Sequence, residues 1–267
     1  MARLCIVGKQ KFPKISRSDS RIRHSQNFTQ PEKTTMSNIA LIPAAGVGSR
    51  FGASTPKQYA TINQQPVLQH TINLFAQNPR IAQIAIIVSP QDEWFNASIT
   101  QPENAAVYRV GGDTRAQTIA NGLQILLAQN LITEQDTILV HDAARCCLPQ
   151  SALNRLLDAL ENDTHGHGAM LAIPVADTLK RQTPNEPRIA ETVPRQGLWQ
   201  AQTPQAFQAA LLHRALSQAD LSQITDDASA IELLGLQPLL VEGDSRNIKL
   251  TRPDDAALVA WFLQNQS

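Results

Sequence analysis

Most of what would place this chain in a familiar functional class is missing from it. No apolar run approaches the ~20 residues that a membrane-spanning helix needs, so nothing in the sequence calls for a membrane. Only three cysteines occur in 267 residues, and two of them, Cys146 and Cys147, are adjacent. That spacing is neither a disulfide framework nor a metal-ligand pattern. It suits packed or incidental thiols in a reducing cytoplasm. There is no His-Glu-x-x-His signature and no nucleophile elbow followed by an acid and a histidine. A basic surplus is lacking as well: residues 36–267 hold 15 Lys and Arg against 21 Asp and Glu, although the whole chain is formally neutral. No nucleic-acid footprint is therefore expected on the folded part.

The missing cations are in residues 1–35, which carry eight Lys and Arg against two acids. This stretch is rich in Ser and Gln, lacks apolar periodicity, and offers only Cys5-Ile6-Val7 where a signal peptide needs a longer apolar core. Met36 stands just ahead of the first strand. The expectation is a disordered basic leader over 1–35, an upstream translation rather than native protein, and one large domain over 36–267. The hydrophobic content of 42% is enough for a sizeable core.

What is present centres on Ile39 to Tyr59. Ile39-Ala40-Leu41-Ile42 has the length and type of a buried parallel strand. Pro43 ends it, and Ala44, Ala45, Gly46, Gly48 and Gly52 form a loop with almost no side-chain bulk. Backbone N–H groups in such a loop can approach an anion closely. Arg50 and Lys57 add two positive charges. The glycine spacing matches neither the dinucleotide fingerprint nor the P-loop. The loop reads as a phosphate site of unspecified kind; the alternative is a flexible loop with two solvated cations.

Beyond it, a helix is expected from Pro66 to Ala76, with Leu68, Ile72 and Phe75 on one face. Strands follow at Ile84–Val88, Val107–Val110, Thr137–Val140 and Ala169–Ile173. Between them lie a helix with Ile119, Leu123, Leu126 and Leu127 at core spacing and another from Pro149 to about Glu161. This alternation predicts an α/β fold, a doubly wound and mostly parallel sheet. Polar clusters follow the first, third and fourth strands, including Gly111-Gly112-Asp113-Thr114-Arg115 and His141-Asp142-Ala143-Ala144-Arg145. At the carboxyl ends of such a sheet these loops converge on one crevice. Residues 175–195 break the rhythm, with two polar, β-prone flanks around Thr183–Pro187. They predict a projecting hairpin, either inert or an interface arm. Trp199–Gln205 returns to the body, and helices are expected from about Ala206 and from Thr225-Asp226-Asp227. Short strands at Gln237–Val241 and Asn247–Leu250 come next. The last helix starts at Pro253, with Ala257, Leu258, Trp261 and Phe262 facing the core.

The candidate site thus holds Arg50, Lys57, Arg115 and Asp142, with Lys249 added if its strand reaches the crevice. Several cations around one carboxylate suit phosphate transfer, because fixed positive charge and a Mg²⁺ ion offset the charge on the transferring group. A phosphate monoester as attacking group is largely ionised at neutral pH, its second pKa lying near ~6. No general base is then required, and His141 is read as a structural strand-end residue.

The ordered motifs carry a specific resemblance. Pro43-Ala44-Ala45-Gly46 with Gly48 and Arg50, then Pro56-Lys57-Gln58-Tyr59, resembles the nucleotide loop of the 2-C-methyl-D-erythritol 4-phosphate cytidylyltransferases. Gly111-Gly112 with Arg115, Val140 to Arg145, Asp177-Thr178, Gly197-Leu198-Trp199, Gln202 to Gln205, Thr225-Asp226 and Asn247-Ile248-Lys249 follow in the family's order. Together they span about residues 38–263. The resemblance implies a Rossmann-like nucleotidyltransferase that uses CTP, the erythritol phosphate and Mg²⁺. It implies that Arg50 and Lys57 hold the triphosphate and stabilise the reacting phosphorus. Ala44, Ala45, Gly46, Gly111, Asp113 and Thr118 would surround the cytosine and nearby groups, and Asp142 and Ala143 would face the ribose and the metal. Arg195 and Lys249 would position the acceptor. The hairpin at about 175–195 would be the arm of a cytoplasmic homodimer, bringing Thr178 and Arg195 across the subunit boundary. Cys146 replaces an expected proline and Ser49 an expected basic residue, neither assigned to chemistry. The chain's end at Ser267 leads to the expectation of a single activity. The competing reading is a cytidylyltransferase for another polyol phosphate, such as ribitol 5-phosphate.

Overall fold

A computed structural model describes residues 36–46 and 55–265. The basic leader, Gly48, Gly52 and Arg50 lie outside the described residues. In chain order the elements begin with β1 (Asn38–Pro43), a 3-10 turn (Lys57–Tyr59), β2 (Thr61–Ile62), β3 (Gln65–Pro66), α1 (Val67–Ala76), β4 (Ile81–Ile87), α2 (Phe95–Ser98) and β5 (Ala105–Tyr108). They continue with α3 (Arg115–Ala128), β6 (Thr137–Val140), α4 (Gln150–Glu161), β7 (Ala169–Pro174), β8 (Leu179–Gln182) and β9 (Ile189–Val193). The last are β10 (Trp199–Gln208), α5 (Ala209–Gln218), α6 (Asp227–Glu232), β11 (Leu239–Glu242) and α7 (Asp255–Gln264).

Seven strands form one sheet in the order β11-β7-β10-β6-β1-β4-β5. All run parallel except β10, which is antiparallel to both β6 and β7. The apolar run of β1 sits mid-sheet because it can be buried on both faces. Ala40 and Ile42 face Leu68, Ile72 and Phe75 of α1 and Leu153 and Leu156 of α4. Ile39 and Leu41 face the other layer, with Ile119 and Leu123 of α3, Leu212 of α5 and Ile231 of α6. Helices on both faces make the sheet doubly wound, as the alternating pattern requires. No helix among the described residues is long and apolar enough to cross a membrane.

Local signals explain several boundaries. The Thr114 hydroxyl accepts from Gln117 N at 3.1 Å and caps α3. Asp226 and Ser229 close a capping box at the start of α6. Asp92 receives the N–H groups of Trp94 and Phe95 and so fixes the short α2.

Three expectations are corrected. Trp199–Gln208 is one long strand through the middle of the sheet, and the following helix begins at Ala209 rather than Ala206. Pro204 falls where the β10–β7 register shifts between Ala201 and Gln205, so its missing N–H does not interrupt the ladder. Asn247–Leu250 is not a strand; it is tied down by Leu250 N donating to Ala144 O at 2.9 Å and Arg145 Nη1 donating to Asn247 O at 2.6 Å. On α7 the buried face is Val259, with Ala256, Ala260, Phe262 and Leu263 packed beside it. Leu258 and Trp261 are 47% and 57% exposed.

The segment expected as a hairpin does pair, β8 with β9, as a separate two-stranded sheet. Nearly every residue in it is exposed.

Candidate functional site

The loops after β1, β5 and β6 meet at the carboxyl ends of the strands. Ala44 N donates to Ile87 O at 2.8 Å and Gly111 N to Val88 O at 2.9 Å, so both loops hang from the end of β4. Their approach is close. A Cβ on Gly111 would collide with Ala45 Cβ and lie 2.8 Å from Val88 O, which is why glycine stands there. Gln58, buried on the 3-10 turn, donates Nε2 to Ala44 O and Gly46 O, both at 2.9 Å. The Thr118 hydroxyl, on the first turn of α3, accepts from Gly112 N at 3.1 Å and donates to Thr114 O at 2.9 Å.

Between these loops lies a cavity of about 190 Å³ lined by Ala44, Ala45, Gly46, Lys57, Asp113, Arg115, Thr118, Asp142, Ala143 and Lys249. Ten of the residues singled out in the sequence are therefore brought together. Gly111 stands behind this wall, with its neighbour Gly112 in it. Thr178 and Arg195 are exposed and are not part of it; Arg195 lines a separate open cavity with Val175 and Trp199. Arg50 lies outside the described residues.

Asp142 is the electrostatic hub. Its Oδ1 accepts from Arg115 Nε at 2.8 Å, and its Oδ2 pairs with Lys249 Nζ at 2.8 Å and with Arg145 Nε at 3.5 Å. Burial alone would raise its pKa, but Arg115, then Lys249 and Arg145, hold the carboxyl well below the usual range. Arg115 also grips Asp227 with both Nη atoms, at 3.0 and 2.9 Å. Burial works against its charge, and the two carboxylates more than compensate, Asp227 first. Lys57 Nζ donates to Leu250 O at 3.3 Å, which joins the turn carrying it to the segment carrying Lys249.

His141 is fully buried and takes no part in the cavity. Its Nε2 bonds to Arg145 O at 2.9 Å and its Nδ1 to the Thr203 hydroxyl at 3.0 Å. The Arg145 carbonyl can only accept, so in the neutral ring Nδ1 accepts from this hydroxyl, which itself also accepts from Asp142 N at 3.1 Å. Nε2 then carries the proton. Burial pushes the imidazole pKa down to about 4, which agrees with a neutral ring.

Several contributing residues carried no sequence signal. Gln58 and Thr203 lie within short motifs, but nothing near them in the sequence gives either a task. In the sequence Asp227 marks only the start of a helix, and its partner Arg115 is 112 residues away. Only a three-dimensional contact shows that the two form a pair.

Among the described residues no group of three or more His, Cys, Asp or Glu side chains is placed to hold a metal. The cavity offers Asp142, whose oxygens keep further lone-pair directions beyond Arg115 and Lys249, and Asp113 on its rim. That donor set does not make a protein cage. It does fit Mg²⁺, which takes one or two carboxylates and completes its shell with waters and substrate phosphates.

A family model described as IspD, 2-C-methyl-D-erythritol 4-phosphate cytidylyltransferase, matches residues 38–265. The protein of that name from Neisseria gonorrhoeae (strain NCCP11945) is 52% identical over 226 residues, covering 85% of this chain and 97% of the relative. Its counterpart from Chromobacterium violaceum is 52% identical over 225 residues, 84% of this chain and 97% of the relative. Among solved structures, the crystal structure of a 4-diphosphocytidyl-2C-methyl-D-erythritol synthase superposes with a TM-score of 0.76 at 48% identity, covering 86% of this chain and 100% of its own. With the motifs, the seven-stranded sheet and the crevice in agreement, the chain belongs to the 2-C-methyl-D-erythritol 4-phosphate cytidylyltransferase family.

Proposed function

We propose that this chain transfers CMP from CTP to 2-C-methyl-D-erythritol 4-phosphate, forming 4-diphosphocytidyl-2-C-methyl-D-erythritol and releasing pyrophosphate. The observation that carries the reading is the crevice itself, where Lys57, Arg115 and Lys249 line one cavity and the last two pair with the carboxylate of Asp142 beneath three small-residue loops. An oxygen of the acceptor's phosphate attacks the α-phosphorus of CTP. The bond from that phosphorus to the bridging oxygen breaks, and pyrophosphate leaves with the electron pair. The acceptor is already ionised, so no base is needed, and the buried, doubly hydrogen-bonded His141 is left out of the chemistry.

Lys57, together with Arg50, offsets the charge that spreads over the reacting phosphoryl oxygens. Ala44, Ala45, Gly46, Gly111, Asp113 and Thr118 form the wall for the base and nearby nucleotide groups. Asp142 and Ala143 face the ribose, and Lys249 orients the acceptor phosphate. Mg²⁺, when bound beside Asp142, neutralises phosphate charge. The β8–β9 hairpin is a dimer arm that carries Thr178 and Arg195 into the site of a second copy, and the enzyme body is residues 36–267. The two cysteines beside the site are free and buried, in keeping with work in a reducing cytoplasm.

The test is pyrophosphate release from CTP and Mg²⁺ with methylerythritol phosphate, with ribitol 5-phosphate, or with no acceptor. Release with methylerythritol phosphate alone is expected. Equal release with ribitol phosphate would move the acceptor assignment, and none from folded, CTP-binding protein would end the reading.

A further inference from the structure

Arg115 holds two carboxylates at once, and one of them does not line the cavity at all. Asp227, the first residue of α6, has a side chain that is 0% exposed. Its carboxylate accepts both Nη groups of Arg115, while the Nε edge of the same guanidinium serves Asp142. The result is an alternating chain of charges, Asp227–Arg115–Asp142–Lys249. It runs from the helix layer to the open crevice, with Lys249 40% exposed at its far end.

Asp227 is not needed to start α6, because Asp226 and Ser229 supply the cap and its reciprocal bond. An ionised carboxylate buried this deeply is strongly unfavourable without a fixed partner. Arg115 meets that need only in one orientation. A planar guanidinium held bidentately at one edge and by a second carboxylate at Nε has no other rotamer that keeps both anions paired. Without Asp227, the same guanidinium is free to swing toward an incoming triphosphate and leave Asp142 to Lys249 and Arg145.

We propose that Asp227 is a positioning residue for the transfer reaction: by locking Arg115 it sets where Asp142 and Lys249 stand in the crevice, although it touches no substrate. The inference rests on the function proposed above. A displacement of about 1 Å at reacting groups costs up to ~10²-fold in rate, so the effect falls on kcat.

The experiment is steady-state kinetics and thermal unfolding of the full chain as wild type, Asp227→Asn, Arg115→Gln and the double variant. Asp227→Asn is expected to lower kcat by about tenfold to hundredfold, with KM for CTP within about threefold and Tm near wild type. In the Arg115→Gln background the same replacement is expected to change kcat by less than about twofold, because it acts through that residue. Unchanged kcat with a lowered Tm would mean a structural role only and overturns the proposal, as would losses that multiply. Should either single variant not fold, Arg115→Lys, which keeps a cation against Asp227 but loses the two-pronged hold, decides: a kcat lowered about tenfold or more with KM for CTP within about threefold sustains the proposal, and a wild-type kcat rejects it. Wild type without turnover removes the proposed function and this role together. Wild-type turnover with multiplying losses removes only the role of Asp227.

Discussion

Two side chains, His141 buried after β6 and Lys57 lining the cavity, show how opposite fates follow from burial. The imidazole of His141 packs edge-on against Phe75 with ring centroids 5.0 Å apart, and burial holds its pKa at about 4 instead of 6.5. Between those values the unfolded chain binds a proton that the folded chain refuses. Its contribution is therefore complete above about pH 6.5 and shrinks as the pH falls toward 4. Urea unfolding should show a loss of roughly 2 kcal/mol from pH 7.5 to pH 5. The His141→Gln variant, whatever its absolute stability, should lose that part of the slope; an unchanged slope would assign it elsewhere. Lys57 instead faces the crevice, and Lys57→Ala should lower kcat by about 10²–10³-fold. A change confined to KM would make it a ground-state phosphate ligand. Lys57, Asp142 and Lys249 were legible because each stands in a short motif at a strand end or crevice loop. The tasks of Gln58, Thr203 and Asp227 were not, since their partners lie 14, 61 and 112 residues away.

At the scale of elements, α7 and β10 mark where periodicity stops being informative. The sequence of α7, Asp255 to Gln264, is apolar almost all round, so spacing alone does not select a face. The neighbours select it: Ile62, Val67, Cys146, Cys147 and Leu250 present one apolar surface, and Val259 fills it. Val259→Ala should cost ~2 kcal/mol of stability, whereas Leu258→Ala on the outer face should stay within ~0.5 kcal/mol. Equal losses in chemical denaturation would return Leu258 to the core. In β10, four glutamines and Pro204 obscured a strand that is central rather than peripheral. Gln205 is buried there because its Nε2 donates to Asp226 Oδ2 at 2.9 Å and its Oε1 accepts from Ala228 N at 2.8 Å. A polar side chain with both ends paired can occupy a sheet interior that composition alone would deny it.

For the whole molecule, the β8–β9 hairpin is the feature that a single chain leaves unexplained. Among the described residues its strands pair only with each other, and Ile189 is 66% exposed at one of them. On the proposed dimer, each site takes Lys57 from one subunit and Arg195 from the other. Mixing Lys57→Ala with Arg195→Ala subunits should then restore part of the lost turnover, because one of the two composite sites is intact. No recovery after subunit exchange would place both residues in the same chain's site. The alternation of strands and helices, the doubly wound sheet and the convergence of three loops can be read from the amino-acid order alone. Those features follow from burial period and glycine chemistry, which act over a few residues. The antiparallel course of β10 through the sheet and the buried face of α7 emerge from the folded chain. It alone linked Asp227 through Arg115 to Asp142. Each of these depends on contacts between segments far apart in the chain, and local spacing carries no record of them.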